Sequence, residues 1–116
     1  MNDAQLFAAA FVEAALFADT PEGYEGKDGR IGLASDSAED MREFAQAFYH
    51  ANEADIAAYP EGVTQAGHDL WFTINGHGVG YWENSDDASK RLDAAAKALR
   101  REGGLYEGDD GFLYWG

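Results

Sequence analysis

A chain of 116 residues with 46% apolar and 14% aromatic residues has the length and composition of one domain around one core, which excludes global disorder. Its 22 acidic and 8 basic residues give a formal charge of −14, which repels phosphate backbones and anionic membranes and makes direct nucleic-acid binding the wrong expectation. With no cysteine there is no disulfide, thiolate metal site or cysteine nucleophile.

The segment from Ala4 to Ala18 is apolar at all but Gln5 and Glu13. It is shorter than the roughly 20 residues a membrane span needs, and no basic stretch precedes it as a secretory signal would require. The expectation is a soluble protein and a first helix over about 3–19, with Asn2 and Gln5 forming a capping box. Phe7, Phe11, Ala14 and Ala18 form its best face. Leu6, Val12, Leu16 and Phe17 make it apolar nearly all round, as in an enclosed helix or one that is partly a contact surface.

Residues 20–35 carry four glycines and a proline, which predicts a surface loop with a short strand near 30–33. Lys27-Asp28-Gly29-Arg30 lacks the alternating oxygen ligands of a calcium loop and reads as a turn. A second helix is predicted from Asp36 or Ser37, where Asp36 with Glu39 or Ser37 with Asp40 supplies a capping box. Met41, Phe44, Phe48 and Tyr59 share its apolar face, with Asp55 a misfit that implies loosening before Pro60. Its other face carries Glu39, Glu43, Gln46, His50 and Glu53 in one stripe, either a solvated face or a contact surface.

The stretch DLWFTINGHGVGYW at 69–82 alternates around Asn75-Gly76, which predicts a β-hairpin. Leu70, Phe72 and Ile74 would share one face with Val79 and Tyr81, and Trp71, Thr73 and Trp82 the other. A third helix is expected over about 86–102, capped by Ser85, with Asp86 and Asp87 in its first turn, Arg100 and Arg101 in its last, and Ala88, Leu92, Ala95 and Leu99 buried. The final segment predicts a second hairpin turning at 108–111. The order helix, helix, hairpin, helix, hairpin gives an α+β fold with a small antiparallel sheet packed on helices.

No motif of known chemistry is present. His50, His68 and His77 lack the paired spacing of a metal site, so neither metal nor cofactor is expected. Asp109 and Asp110 stand between glycines, where a turn suits them. An acid-base or metal-dependent enzyme would need His68, Asp69, His77 and Asp109 to converge.

Charge is more informative. Residues 1–89 hold seventeen acids against three bases, the whole excess of −14, and residues 90–116 are neutral. A helical row of carboxylates about 6 Å apart, from a rise of about 1.5 Å per residue, resembles a row of phosphates to a basic groove. Asp36, Glu39, Asp40, Glu43, Glu53, Asp86 and Asp87 are the candidate partner-binding residues. The competing readings of the acidity are solubility and a saline habitat.

The stretch HDLWFTINGHGVGYWE followed by LYEGDDGFLY resembles a group of small acidic proteins encoded by bacteriophages and prophages. The likeness covers roughly the last 50 residues and is carried by His68, Asp69, Trp71, Asn75, His77, Trp82, Asp109 and Asp110. Ile74 stands where the group would lead one to expect a basic residue. The resemblance implies a phage or mobile-element origin and action in the cytoplasm of an infected bacterium, without implying a reaction.

Together these features favour a non-enzymatic inhibitor or decoy for a basic host protein that handles nucleic acid, of the anti-restriction or anti-CRISPR kind. The alternative is an interaction domain, in one version homodimeric, that uses an aromatic hairpin surface of Trp71, Tyr81, Trp82 and Trp115.

Overall fold

The computed structural model describes residues 1–24, 32–99 and 104–116. In it α1 spans Asp3–Asp19, α2 Ser35–Ala51, α3 Glu53–Ala57, α4 Gly62–Ile74 and α5 Asp87–Ala98, with a 3-10 turn at Tyr81–Glu83. Strands β1, Leu105–Glu107, and β2, Leu113–Trp115, pair antiparallel, Leu105 opposite Trp115. The class is therefore α+β, with a small sheet against helices.

Helix α1 begins as its sequence dictates. Asn2 Oδ1 accepts the Gln5 amide at 2.9 Å and Gln5 Oε1 accepts the Asn2 amide at 3.0 Å. Phe7, Phe11 and Ala14 are buried, as expected, but Ala18 at the fraying end is exposed. Two helices flank α1. Phe7 stacks on Phe48 of α2 and Phe11 meets Trp71 of α4 edge-on. At the α4 crossing Gly67 permits unusually close backbones, because a Cβ there would lie 2.3 Å from the Phe7 carbonyl oxygen and 2.8 Å from Ala10 Cβ. The core draws further on Met41, Leu70, Ile74, Tyr81, Leu92, Leu105 and Leu113.

The predicted hairpin at 69–82 is not formed; residues 69–74 are the last turns of α4. Ala66, Gly67, Leu70, Trp71 and Ile74 are buried, a three-and-four spacing that lays one helical stripe against α1. The aromatic and β-branched content of Trp71-Phe72-Thr73 favours a strand, but this long apolar stripe decides. Asn75-Gly76 then ends a helix instead of turning a hairpin. Gly76, at φ +68°, donates to the Thr73 carbonyl and His77 to the Phe72 carbonyl at 3.0 Å, the paired bonds of a Schellman termination. Asn75 Nδ2 adds a bond to the Trp71 carbonyl.

Beyond that stop the chain folds back over α4. Gly80 lies so close to Thr73 that a Cβ would meet Oγ1 at 2.5 Å, and its φ of +150° suits glycine alone. The Tyr81 amide donates to Thr73 Oγ1 and the Tyr81 hydroxyl to the Ala66 carbonyl at 2.6 Å. The consecutive Gly-aromatic residues thus strap α4 rather than pair as a strand.

Other boundaries shift for local reasons. Neither expected capping box opens α2: Ala34 is its N-cap, and the Ser37 hydroxyl accepts the Trp115 amide at 3.0 Å instead. Leu33 makes a single parallel bridge to Leu113 and the Gly32 carbonyl accepts the Leu113 amide at 2.8 Å, whereas positions 30 and 31 of the expected strand and the 27–30 turn lie outside the described residues. Helix α2 stops at Asn52, whose side chain bonds the Phe48 carbonyl, and the short α3 follows. Asp55, the misfit, forms a bidentate pair with Arg91 at 2.8–3.1 Å. Helix α5 is capped by Asp86, not Ser85. Leu99 lies past its end and is exposed, and Arg100 and Arg101 fall outside the described residues. The C-terminal hairpin forms as expected, its turn held by Asp110 Oδ1 accepting the Phe112 amide and Asp110 Oδ2 accepting the Tyr114 hydroxyl.

Candidate functional site

The motif residues divide among four separate structural tasks. His68 Nε2 lies 3.0 Å from Glu13 Oε1 across the α1–α4 contact. Neighbouring Asp69, 3% exposed, accepts the Tyr59 hydroxyl and Gln65 Nε2. Tyr59 in turn accepts from Asn84 Nδ2 at 3.1 Å, which ties α4, the segment after α3 and the strap. Burial pushes the Asp69 carboxyl above its usual range against those two hydrogen bonds, and burial beside Asp69 raises the Tyr59 hydroxyl strongly. His77 Nε2 lies 2.8 Å from Asp19 Oδ2, which also accepts the Trp71 indole N–H. Asp109 is exposed in the hairpin turn.

His68, Asp69, His77 and Asp109 are therefore not brought together, and each of the first three has its own partner elsewhere. Among the described residues no three His, Asp or Glu side chains are grouped as metal ligands. The aromatic surface is not assembled either. Trp71 and Tyr81 are core residues, Trp115 is half-buried against Phe11 and Phe44, and only Trp82 is largely exposed. Asp19, which organises the end of α1, was not recognisable from local pattern, since its partners are 52 and 58 residues away.

The acidic candidates separate into two kinds. Asp86 is structural: its carboxylate accepts the Ser89 amide at 3.0 Å and hydroxyl at 2.7 Å, which hold it below the ordinary carboxylate range. Asp87 and Glu53 stand exposed in the first turns of α5 and α3, where the helix dipole favours negative charge.

The other kind lies on α2. Asp36, Glu39, Asp40 and Glu43 are all exposed, and among the described residues none has an ion-pair partner. Their spacing makes a two-by-two lattice on the helix surface, each residue adjoining others three or four positions away. Like charges at that spacing repel by about 0.2–0.5 kcal/mol a pair. Elsewhere cations are set against acids: Arg91 on Asp55 and Lys97 on Asp93. Gln46 and His50 continue the stripe toward the end of α2, with His50 exposed.

No described helix is long and apolar enough to cross a membrane. Comparison with protein-family models, with curated proteins and with solved structures finds no match to this chain.

Proposed function

We propose that this protein is a non-enzymatic accessory protein of phage type, acting in the bacterial cytoplasm, that binds a basic host protein through the carboxylate lattice of α2. The partner is a protein that handles nucleic acid, of the restriction or CRISPR class, and the lattice occupies the groove that would otherwise take a phosphate backbone. One observation carries the reading: four exposed carboxylates on two turns of helix, unpaired among the described residues, in a chain whose other described acids are often capped or bridged. Asp36, in the first turn of α2, is favoured by the helix dipole, but the mutual repulsion of the four like charges costs stability, as expected of a surface shaped for a partner.

The test is affinity capture from lysate of the natural host with the wild-type chain and with E39K/E43K, washed across a salt series. The reading expects a nucleic-acid-binding protein held by the wild type at low salt, released as salt rises, and not held by the charge-reversed variant. Exposed charges are screened within about 10 Å at 0.1 M salt. A partner that survives high salt or binds both proteins alike would overturn it.

A further inference from the structure

We propose that the groove between α1 and α4 binds a small organic cation with an apolar body, an aryl- or alkylammonium. The groove has a volume of about 460 Å³ and is lined by Glu13, Ala14, Phe17, Gln65, His68 and Phe72. That size lies within the range of small-molecule sites.

Its walls are unusual for this protein. Phe7 and Phe11 of α1 are fully buried, yet Phe17 on the same helix is 87% exposed. Together with half-buried Phe72 it offers an apolar surface that no other part of the described chain covers, with buried Ala14 at its floor.

The polar edge decides which apolar molecule fits. Glu13 is largely exposed, and His68 reaches it from α4 at 3.0 Å through Oε1. This contact fixes the carboxylate beside the groove and leaves Oε2 to accept a hydrogen bond from a ligand. A carboxylate beside aromatic rings suits an ammonium group, which bonds the oxygen while its alkyl or aryl portion packs on phenylalanine. The charge of −14 raises the local concentration of cations and disfavours anions. The α2 lattice is also anionic, and there Asp36 adjoins Leu33, Phe112 and Tyr114, so a cation held by charge alone would bind at α2 as well. The proposal stands apart from the reading of α2.

The probe is phenethylammonium, titrated into the full chain by calorimetry and by amide NMR, with 2-phenylethanol and phenylacetate as neutral and anionic counterparts. Saturable one-to-one binding is expected, with shifts confined to residues 13–17 and 65–72. The alcohol should bind at least about ten-fold more weakly, a difference of about 1.4 kcal/mol, and the carboxylate not measurably. F17S and E13Q should each lower affinity about ten-fold, and E39Q/E43Q should leave it unchanged. Phe17 and Glu13 are exposed, so both variants should keep the wild-type unfolding temperature. The proposal fails if the cation does not saturate, or if the alcohol binds equally. It also fails if the shifts spread over α2 and F17S binds as well as wild type, since the cation is then only a counterion.

Discussion

His77 and Trp71 converge on a single oxygen: Asp19 Oδ2 lies 2.8 Å from the imidazole Nε2 and accepts the indole N–H. This clasp joins the end of α1 to the end of α4 and to the turn beyond it. Trp71 is fully buried, and its N–H takes its hydrogen-bond partner from this carboxylate.

Asp19→Ala should therefore cost about 1–3 kcal/mol, the penalty for a buried donor without a partner. Asp19→Asn retains an acceptor and should recover part of the loss. His77→Ala removes only a half-exposed pair and should cost less than about 1 kcal/mol. Equilibrium urea unfolding of the three variants gives this ranking directly, and equal losses for His77→Ala and Asp19→Ala would refute it.

Gly67 sets the distance between the two helices of that clasp. Its α-carbon faces the Phe7 carbonyl with no space for a methyl group. Gly67→Ala should destabilise by about 1–3 kcal/mol despite alanine's better helix propensity. A gain in unfolding temperature would show that the α1–α4 approach is not fixed.

Asp69 carries the clearest pH signature. Burial raises its folded pKa above the unfolded value, so its contribution to stability is fully present below about pH 4 and is lost as pH rises through the folded value. Asp69→Asn keeps an acceptor for Tyr59 and, with the Gln65 amide turned over, a partner for Gln65. The variant should match wild type in acid and exceed it at neutral pH, where the buried carboxylate of the wild type is charged. Unfolding curves across that range decide the sign, and a variant less stable than wild type at neutral pH contradicts it.

Glu43→Lys should change stability and binding in opposite directions. It replaces the Glu39–Glu43 repulsion with a Glu-to-Lys pair in its better orientation, a gain of about 0.5 kcal/mol, while weakening capture of a basic partner. Thermal unfolding alongside the capture assay measures both, and loss of stability together with loss of binding would mean the residue serves the fold.

What was legible in the sequence was local chemistry with one meaning. Asn2 and Gln5 mark the start of α1, and the Gly-Asp-Asp-Gly turn marks the hairpin. Where one signal had two meanings, the reading failed. Asn75-Gly76 closes either a hairpin or a helix, because both need a positive φ at the glycine, and only the packing of Leu70, Trp71 and Ile74 on α1 selects the helix. The candidate site was half legible. The α2 carboxylates follow from helical periodicity and are exposed as expected, whereas Asp86 could not be told from them until its bonds to Ser89 were known. Asp19 and the groove beside Phe17 depend on α1 meeting α4, a contact between distant segments that no local pattern encodes.

The central claim is that the α2 carboxylates take the place of nucleic-acid phosphates. It is tested most directly by displacement of a labelled DNA duplex from the captured host protein, using wild type and E39K/E43K over a range of salt. The account predicts that the wild type displaces the duplex in proportion to its binding, that displacement weakens as salt rises, and that the charge-reversed chain is inert. Simultaneous binding of duplex and wild-type chain, or equal displacement by E39K/E43K, would contradict it.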